Sequence, residues 1–321
     1  MLGSTKKILK TIIPIGLGLF LVWYSYNATT SEDRKLIVEN ITNANPFWVG
    51  ISVLIGILSH VSRAVRWNYL LQPLGYKPRL SNNLLIVLIS YFANLGIPRS
   101  GEFLRATALT TYEDVPFEKG FGTIVTERVI DLIMLLLIIA LALLLQTDIL
   151  LDFLNKNGVN LAGSVAILVI GIIGLIILIR LIKKSKSSFV LKIKNFLSGL
   201  LEGVSSILKM EKKWSFVLHT FLIWSCYIAM FWVIKYTVAE TVDLTFSQLL
   251  VAFIAGAFAM STTNGGIGAY PIVVTAALAI FGVSEVSGKA FGWIMWISQT
   301  LMVVVFGAIS FVLLPLLNRN R

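Results

Sequence analysis

Residues 94–105 read NLGIPRSGEFLR, and the apolar run LLIVLISYFA at 84–93 leads straight into them. A hydrophobic helix that breaks at Gly96-Ile97-Pro98 and then shows Arg99, Glu102 and Arg105 is neither an ordinary membrane span nor an ordinary loop. The break has a local cause. Proline lacks an N–H and drives the residue before it out of the helical region. The charges beyond it need another explanation, since one charge at the centre of a membrane helix costs roughly 2.5–3.5 kcal/mol.

Working outward, 57% of the 321 residues are hydrophobic and 13% are charged. Soluble domains carry about 25% charged residues, so the chain reads as a single integral membrane domain over 1–321. That length holds roughly six to eight segments of about 20 residues. One cysteine, Cys226, excludes an internal disulfide and a multi-cysteine metal centre. Two histidines, His60 and His219, argue against zinc and are expected to make interhelical hydrogen bonds. Neither a metal nor a cofactor is expected. The net charge of +11 gathers in loops beside apolar segments. That is the pattern of membrane orientation, not of nucleic-acid binding. The N-terminal run IIPIGLGLFLVWYSY has no small-x-small cleavage site after it and reads as an uncleaved first span.

Six segments are long enough to cross: 8–27, 47–71, 119–145, 161–182, 214–238 and 288–314. Two further apolar regions, 82–112 and 246–281, are each split by a Gly-rich polar break. Basic and acidic loops alternate as six crossings require, with eight lysines in 183–213 against Glu202 and Glu211. Both termini are therefore expected in the cytoplasm, on a multi-pass protein of the cell membrane. This balance holds if each split region returns to the side it came from. The expected fold is an all-α polytopic membrane protein, with six spanning helices and two re-entrant broken helices arranged as an inverted repeat. Its halves are 1–145 and 161–321, and 183–213 is a cytoplasmic amphipathic connector. Asn94-Leu95-Gly96-Ile97 in the first break resembles Asn264-Gly265-Gly266-Ile267 in the second. Paired interruptions of this kind in corresponding halves point to a transporter's midplane site. Two unrelated kinks are the plainer reading.

Three charge clusters lie in apolar surroundings: His60, Arg63 and Arg66 with Trp67; Arg99, Glu102 and Arg105; and Glu127, Arg128 and Asp131. Five arginines against three carboxylates leave a surplus of +2. A hydrated cavity that admits an anion balances it. The guanidinium fork holds phosphate through two hydrogen bonds and never loses its proton. A helix restarting after Gly101 adds N–H groups near Arg99 and Ser100. The competing readings are structural. Arg66 and Arg105 are near enough to a helix end to snorkel, and Glu127 with Arg128 or Asp131 suits an ion pair. Arg99 is the charge least explained by structure. The second break, with Asn264, Gly265 and Gly266, carries no charge and suits a gate or a polar head-group contact.

Taken together, Arg66-Trp67, Tyr91-x-x-Asn94, Pro98-Arg99-x-Gly101-Glu102 with Arg105, Thr126-Glu127-Arg128-x-x-Asp131 and Gly265-Gly266-Ile267-Gly268 resemble the flippase-like family. That family shares the transmembrane region of lysylphosphatidylglycerol synthases, the multiple peptide resistance factors. The likeness runs over about residues 10–315. It implies a module that moves a lipid between leaflets, with the arginine and acidic positions as head-group contacts. Many relatives have Pro before the Gly-Gly and an acidic residue after it, where this chain has Asn264 and Tyr270-Pro271. A proton-coupling carboxylate in the second break is thereby weakened.

The expected function is a flippase-like transporter of an anionic phospholipid or lipid-linked sugar. Its partner is a membrane lipid with an anionic head group. The phosphate is held by Arg63, Arg99 and Arg128, which Glu102, Glu127 and Asp131 orient. No ATP-binding motif is present, so passive or ion-driven transport is expected. With no activated nucleophile in view, the chain is expected not to be an enzyme. The rivals are a small-anion transporter and a membrane-embedded enzyme acting on a lipid phosphate.

Overall fold

The computed structural model describes residues 19–20, 22–97, 99–147, 207 and 210–319. Among them the fold is all helix, with no strand. In chain order the helices are α1 (Ser31–Thr42), α2 (Pro46–Leu71), α3 (Leu80–Gly96), α4 (Ser100–Glu113), α5 (Phe117–Leu145), α6 (Lys213–Ile234), α7 (Phe246–Thr262), α8 (Ala269–Ala279) and α9 (Glu285–Leu317). The chain forms two compact units, one of Met1–Glu127 with Met210–Arg321 and one of Arg128–Lys209. The first unit holds both broken regions and, of the nine helices named, all but the greater part of α5.

The caps are written locally. Asn45 opens α2, its side chain accepting from the Phe47 N–H, with Pro46 in the first turn. Thr245 and Gln248 close a reciprocal capping box on α7. Ser284 caps α9, and Glu285 places negative charge in its first turn. Among the described residues, four stretches are long and apolar enough to cross a membrane: Pro46–Leu74, Phe117–Leu145, Lys213–Thr237 and Glu285–Leu317. They match four of the six expected spans. The expected spans 8–27 and 161–182 and the connector 183–213 lie mostly or wholly outside the described residues.

The split regions are the helix pairs α3–α4 and α7–α8. In the first pair, Arg79 ahead of α3 bonds Glu113 at the end of α4 (Nε to Oε1, 3.1 Å). The two arms thus start and finish at one end. In the second, Glu240 ahead of α7 accepts from the backbone N–H (2.8 Å) and hydroxyl (2.9 Å) of Ser284, beyond α8. That pair also leaves at the end it entered. Each is a helical hairpin closed by a polar latch at its mouth.

The two hairpins lie along α9, whose 33 residues measure about 50 Å at 1.5 Å per residue. The second occupies its first half, with Thr275 packed on Gly288 and Pro271 on Gly292. The first occupies the other half, where Phe92 packs on Gly307 and Arg79 and Asn82 bond Asn318. The mouths therefore face opposite ends of α9 and the tips meet between them. At that meeting Asn264 Nδ2 donates to the Leu95 carbonyl (2.9 Å), and Trp296 Nε1 donates to the Gly265 carbonyl (2.8 Å). Buried apolar residues of α6–α9, among them Phe231, Val274, Leu278 and Phe291, form the core around the second hairpin.

Candidate functional site

The first break is built to bring two backbones together. Ile97 is extended (φ −125°, ψ 117°), as a residue before proline should be. Arg99 follows in the left-handed region at φ 63°. The Asn94 carboxamide oxygen then accepts from the Gly101 N–H at 2.7 Å, so α3 caps α4. The helix restarts at Ser100, before Gly101 and not after it. Only glycine fits at 101, because a Cβ there collides with the Ser90 carbonyl of the opposing arm.

The charges next to this hairpin are buried. Arg63 is 2% exposed, Arg66 0%, Arg105 2% and Glu127 0%. Glu127 joins two arginines: Oε1 lies 3.3 Å from Arg66 and Oε2 lies 2.6 Å from Arg105. Arg66 also donates to Thr220 Oγ1 (3.2 Å) on α6. The Arg105 guanidinium stands 3.7 Å over the Trp67 ring, whose Nε1 donates to Thr123 Oγ1 at 2.9 Å. The polar Trp handle is thus satisfied while its face holds a cation. Arg63 donates to the Tyr227 hydroxyl (3.1 Å), which lies 3.4 Å from that of Tyr91. Arg63, Arg66 and Arg105 against Glu127 carry +2 formally. Glu102, half-buried one turn before Arg105, reduces this to +1.

Two sequence expectations change here. Arg66 and Arg105 do not snorkel; both are buried, because Glu127 and the Trp67 face replace the water they lose. Arg99 is not in the buried cluster. It is exposed at the hairpin tip, since the left-handed turn that reverses the chain carries its side chain outward. Arg128 pairs with Asp131 one turn on in α5, at 3.8 Å, in the second unit. Asn94, Asn264, Gly265 and Gly266 come together with Leu95 and Trp296 at the junction of the tips. His219 makes the expected interhelical bond, to Ser62 (2.8 Å). Sequence reasoning passed over Thr123, Thr220, Trp224 and Tyr227. Three of these, at 220, 224 and 227, share one stripe of α6 at helical spacing. A polar and aromatic stripe inside an apolar span was the available signal.

Comparison with known proteins identifies the family. The model of the lysylphosphatidylglycerol synthase TM region matches residues 11–307. The chain belongs to that family. It is a multi-pass membrane protein and shares stretches with three curated relatives. A UPF0104 membrane protein of Methanocaldococcus jannaschii is 35% identical over 98 residues, 30% of this chain and 29% of the relative. The glycosyltransferase AglD of Haloferax volcanii is 28% identical over 102 residues, 32% of this chain and 16% of AglD. A UPF0104 membrane protein of Methanothermobacter thermautotrophicus is 26% identical over 111 residues, 34% of this chain and 32% of the relative. The matched stretch is thus about a third or less of each relative. No solved structure matches the chain.

AglD overturns the expectation that the chain is not an enzyme, because a protein with which it shares 102 aligned residues is by name a glycosyltransferase. An activated nucleophile is not a requirement for chemistry at such a site. Fixed cations and carboxylates can stabilise a transition state without one.

Proposed function

We propose that the chain is a lipid-handling module that takes the phosphate of an anionic phospholipid or lipid-linked sugar and carries it between leaflets. Buried Arg63, Arg66 and Arg105, the last two paired with Glu127, support this reading most directly. A positive excess held in an apolar interior is stabilised by an anionic guest. Arginine forks match phosphate geometry, and Glu127 keeps two of them from closing on it too tightly. Arg99, exposed at the tip, is the outer contact. Asn94, Asn264, Gly265 and Gly266 form the joint that separates the two ends. Arg128 and Asp131 pair with each other and are assigned no contact with the phosphate.

In this reading the hairpins are re-entrant from opposite faces, the halves form an inverted repeat, and both termini are cytoplasmic. One hairpin rocking on the other opens the pocket to each side in turn. The two latched mouths at opposite ends of α9 support that arrangement. Proteoliposomes containing a lipid with a fluorescent acyl chain test it. Leaflet-resolved quenching should show faster crossing of anionic than of zwitterionic lipid, and Arg63→Gln should slow the anionic lipid by at least about tenfold. Equal rates in variant and parent refute the phosphate role.

The glycosyltransferase relative favours a second reading, in which a module of this kind acts chemically on a lipid-linked sugar. Release or transfer of a radiolabelled sugar from a polyprenyl phosphate sugar by the purified protein supports that reading. Movement of the intact lipid supports the first.

A further inference from the structure

Beside the arginines lies a group of neutral side chains that the phosphate does not require. On α2, His60 and Arg63 are three residues apart and share a face. On α6, Thr220, Trp224 and Tyr227 make the facing stripe: Thr220 accepts from Arg66 (3.2 Å) and Tyr227 from Arg63 (3.1 Å). Trp224 therefore stands between two arginine contacts. The His60 ring rests on Tyr91 (centroids 4.6 Å apart), and the Trp224 ring meets Tyr227 edge-on (5.9 Å). The Tyr91 and Tyr227 hydroxyls join the two pairs at 3.4 Å.

Within this group two polar atoms have no hydrogen-bond partner. They are His60 Nδ1, on a residue 4% exposed, and Trp224 Nε1, on a residue 8% exposed. Buried polar atoms are paired in native proteins as a rule, and each exception has a cause. Leaving one unmade costs more than the bond itself is worth. Two such atoms flank one tyrosine pair, one reached through each ring. His60 lies one helical turn from Arg63, and Trp224 lies one turn from each of Thr220 and Tyr227, which accept from Arg66 and Arg63. Aromatic walls carrying a few fixed polar groups are the usual lining of a small-molecule site.

We infer that His60, Trp224, Tyr91 and Tyr227 form a subsite for the hydroxyl-bearing part of a head group, next to the arginines that take its phosphate. The inference rests on the phosphate reading above and narrows its substrate. The lipid carries donors and acceptors beyond the phosphate, as a glycerol or sugar head group does and a bare phosphate does not. His60 Nδ1 and the Trp224 N–H bind hydroxyls, and the rings cover the carbon face.

Binding to the purified full chain separates the possibilities. The probes are phosphatidic acid, phosphatidylglycerol and a polyprenyl phosphate hexose with its bare polyprenyl phosphate, measured by native mass spectrometry. The parent should prefer each hydroxylated lipid to its bare-phosphate counterpart. Trp224→Phe keeps an aromatic wall and removes the N–H together with the five-membered ring that carries it. It should cut that preference by about threefold to tenfold, the worth of one hydrogen bond. His60→Leu should do the same, with thermal unfolding confirming that both variants fold. The larger preference, for glycerol or for hexose, identifies the source of the hydroxyls. Equal binding of hydroxylated and bare lipids, or a preference that survives both substitutions, overturns the subsite and leaves the phosphate reading standing. Failure to bind any anionic lipid brings down both.

Discussion

Glu127→Gln is the most informative single change. The amide keeps the shape of the carboxylate and removes the charge that Arg66 (3.3 Å) and Arg105 (2.6 Å) share. At an effective dielectric near 20 the two contacts are worth about 5 and 6 kcal/mol before desolvation is counted. Removing one partner of a buried ionic group costs about 3–5 kcal/mol net, because the opposite charge is left behind. Here two arginines, 0% and 2% exposed, are left behind. In neutral detergent the melting temperature should fall on the order of 10 °C, taking roughly 2–4 °C per kcal/mol. Anionic lipid should restore more of the loss in the variant than it adds to the parent, since a phosphate replaces the missing charge. A shift under about 2 °C means that the carboxylate charge does not hold the arginines. Equal recovery in variant and parent means that the arginines do not take phosphate.

Gly101→Ala forces a Cβ into the Ser90 carbonyl and should abolish the monodisperse folded peak on size exclusion, whereas Gly50→Ala, with nothing within 4 Å, should elute as the parent does. Asn264→Ala removes the bond to the Leu95 carbonyl. It should cost about 1–3 kcal/mol and speed hydrogen exchange at the tip junction. The Glu240 carboxyl, outside the spans, is held below its ordinary value of 4.5, first by the Ser284 backbone N–H and further by the Ser284 and Ser287 hydroxyls, while burial opposes them. Its folded value being the lower, the latch contributes fully above that ordinary value and is lost as the pH falls through the folded one. Melting between pH 7 and 3 should therefore drop less steeply at the acid end in Glu240→Gln than in the parent.

The helices and their breaks were legible because their causes are local. Pro98 after Ile97 stops α3, the Thr245–Gln248 box starts α7, and four of the expected spans coincide with long apolar helices. The likeness of Asn94-Leu95-Gly96-Ile97 to Asn264-Gly265-Gly266-Ile267 was also legible, and the fold brings the two segments together. The two segments form the tips that meet on α9, where Asn264 reaches the Leu95 carbonyl. What the sequence could not yield is which charge faces which. Arg105 and Arg99 lie six residues apart and look alike on paper. One falls on the α4 face that meets Trp67 and Glu127, and the other falls in the turn. That difference is set by the rotation of α4, and the rotation is fixed by Gly101 against Ser90 and by the Asn94 cap, contacts of a helix with its neighbour. Likewise, nothing next to Trp224 in the chain reveals that its N–H is buried between two arginine contacts. That emerges only when α2 and α6 run antiparallel, with Ser52 on the Met230 carbonyl and Ser62 on His219. Periodicity locates a face, and only packing decides what the face meets.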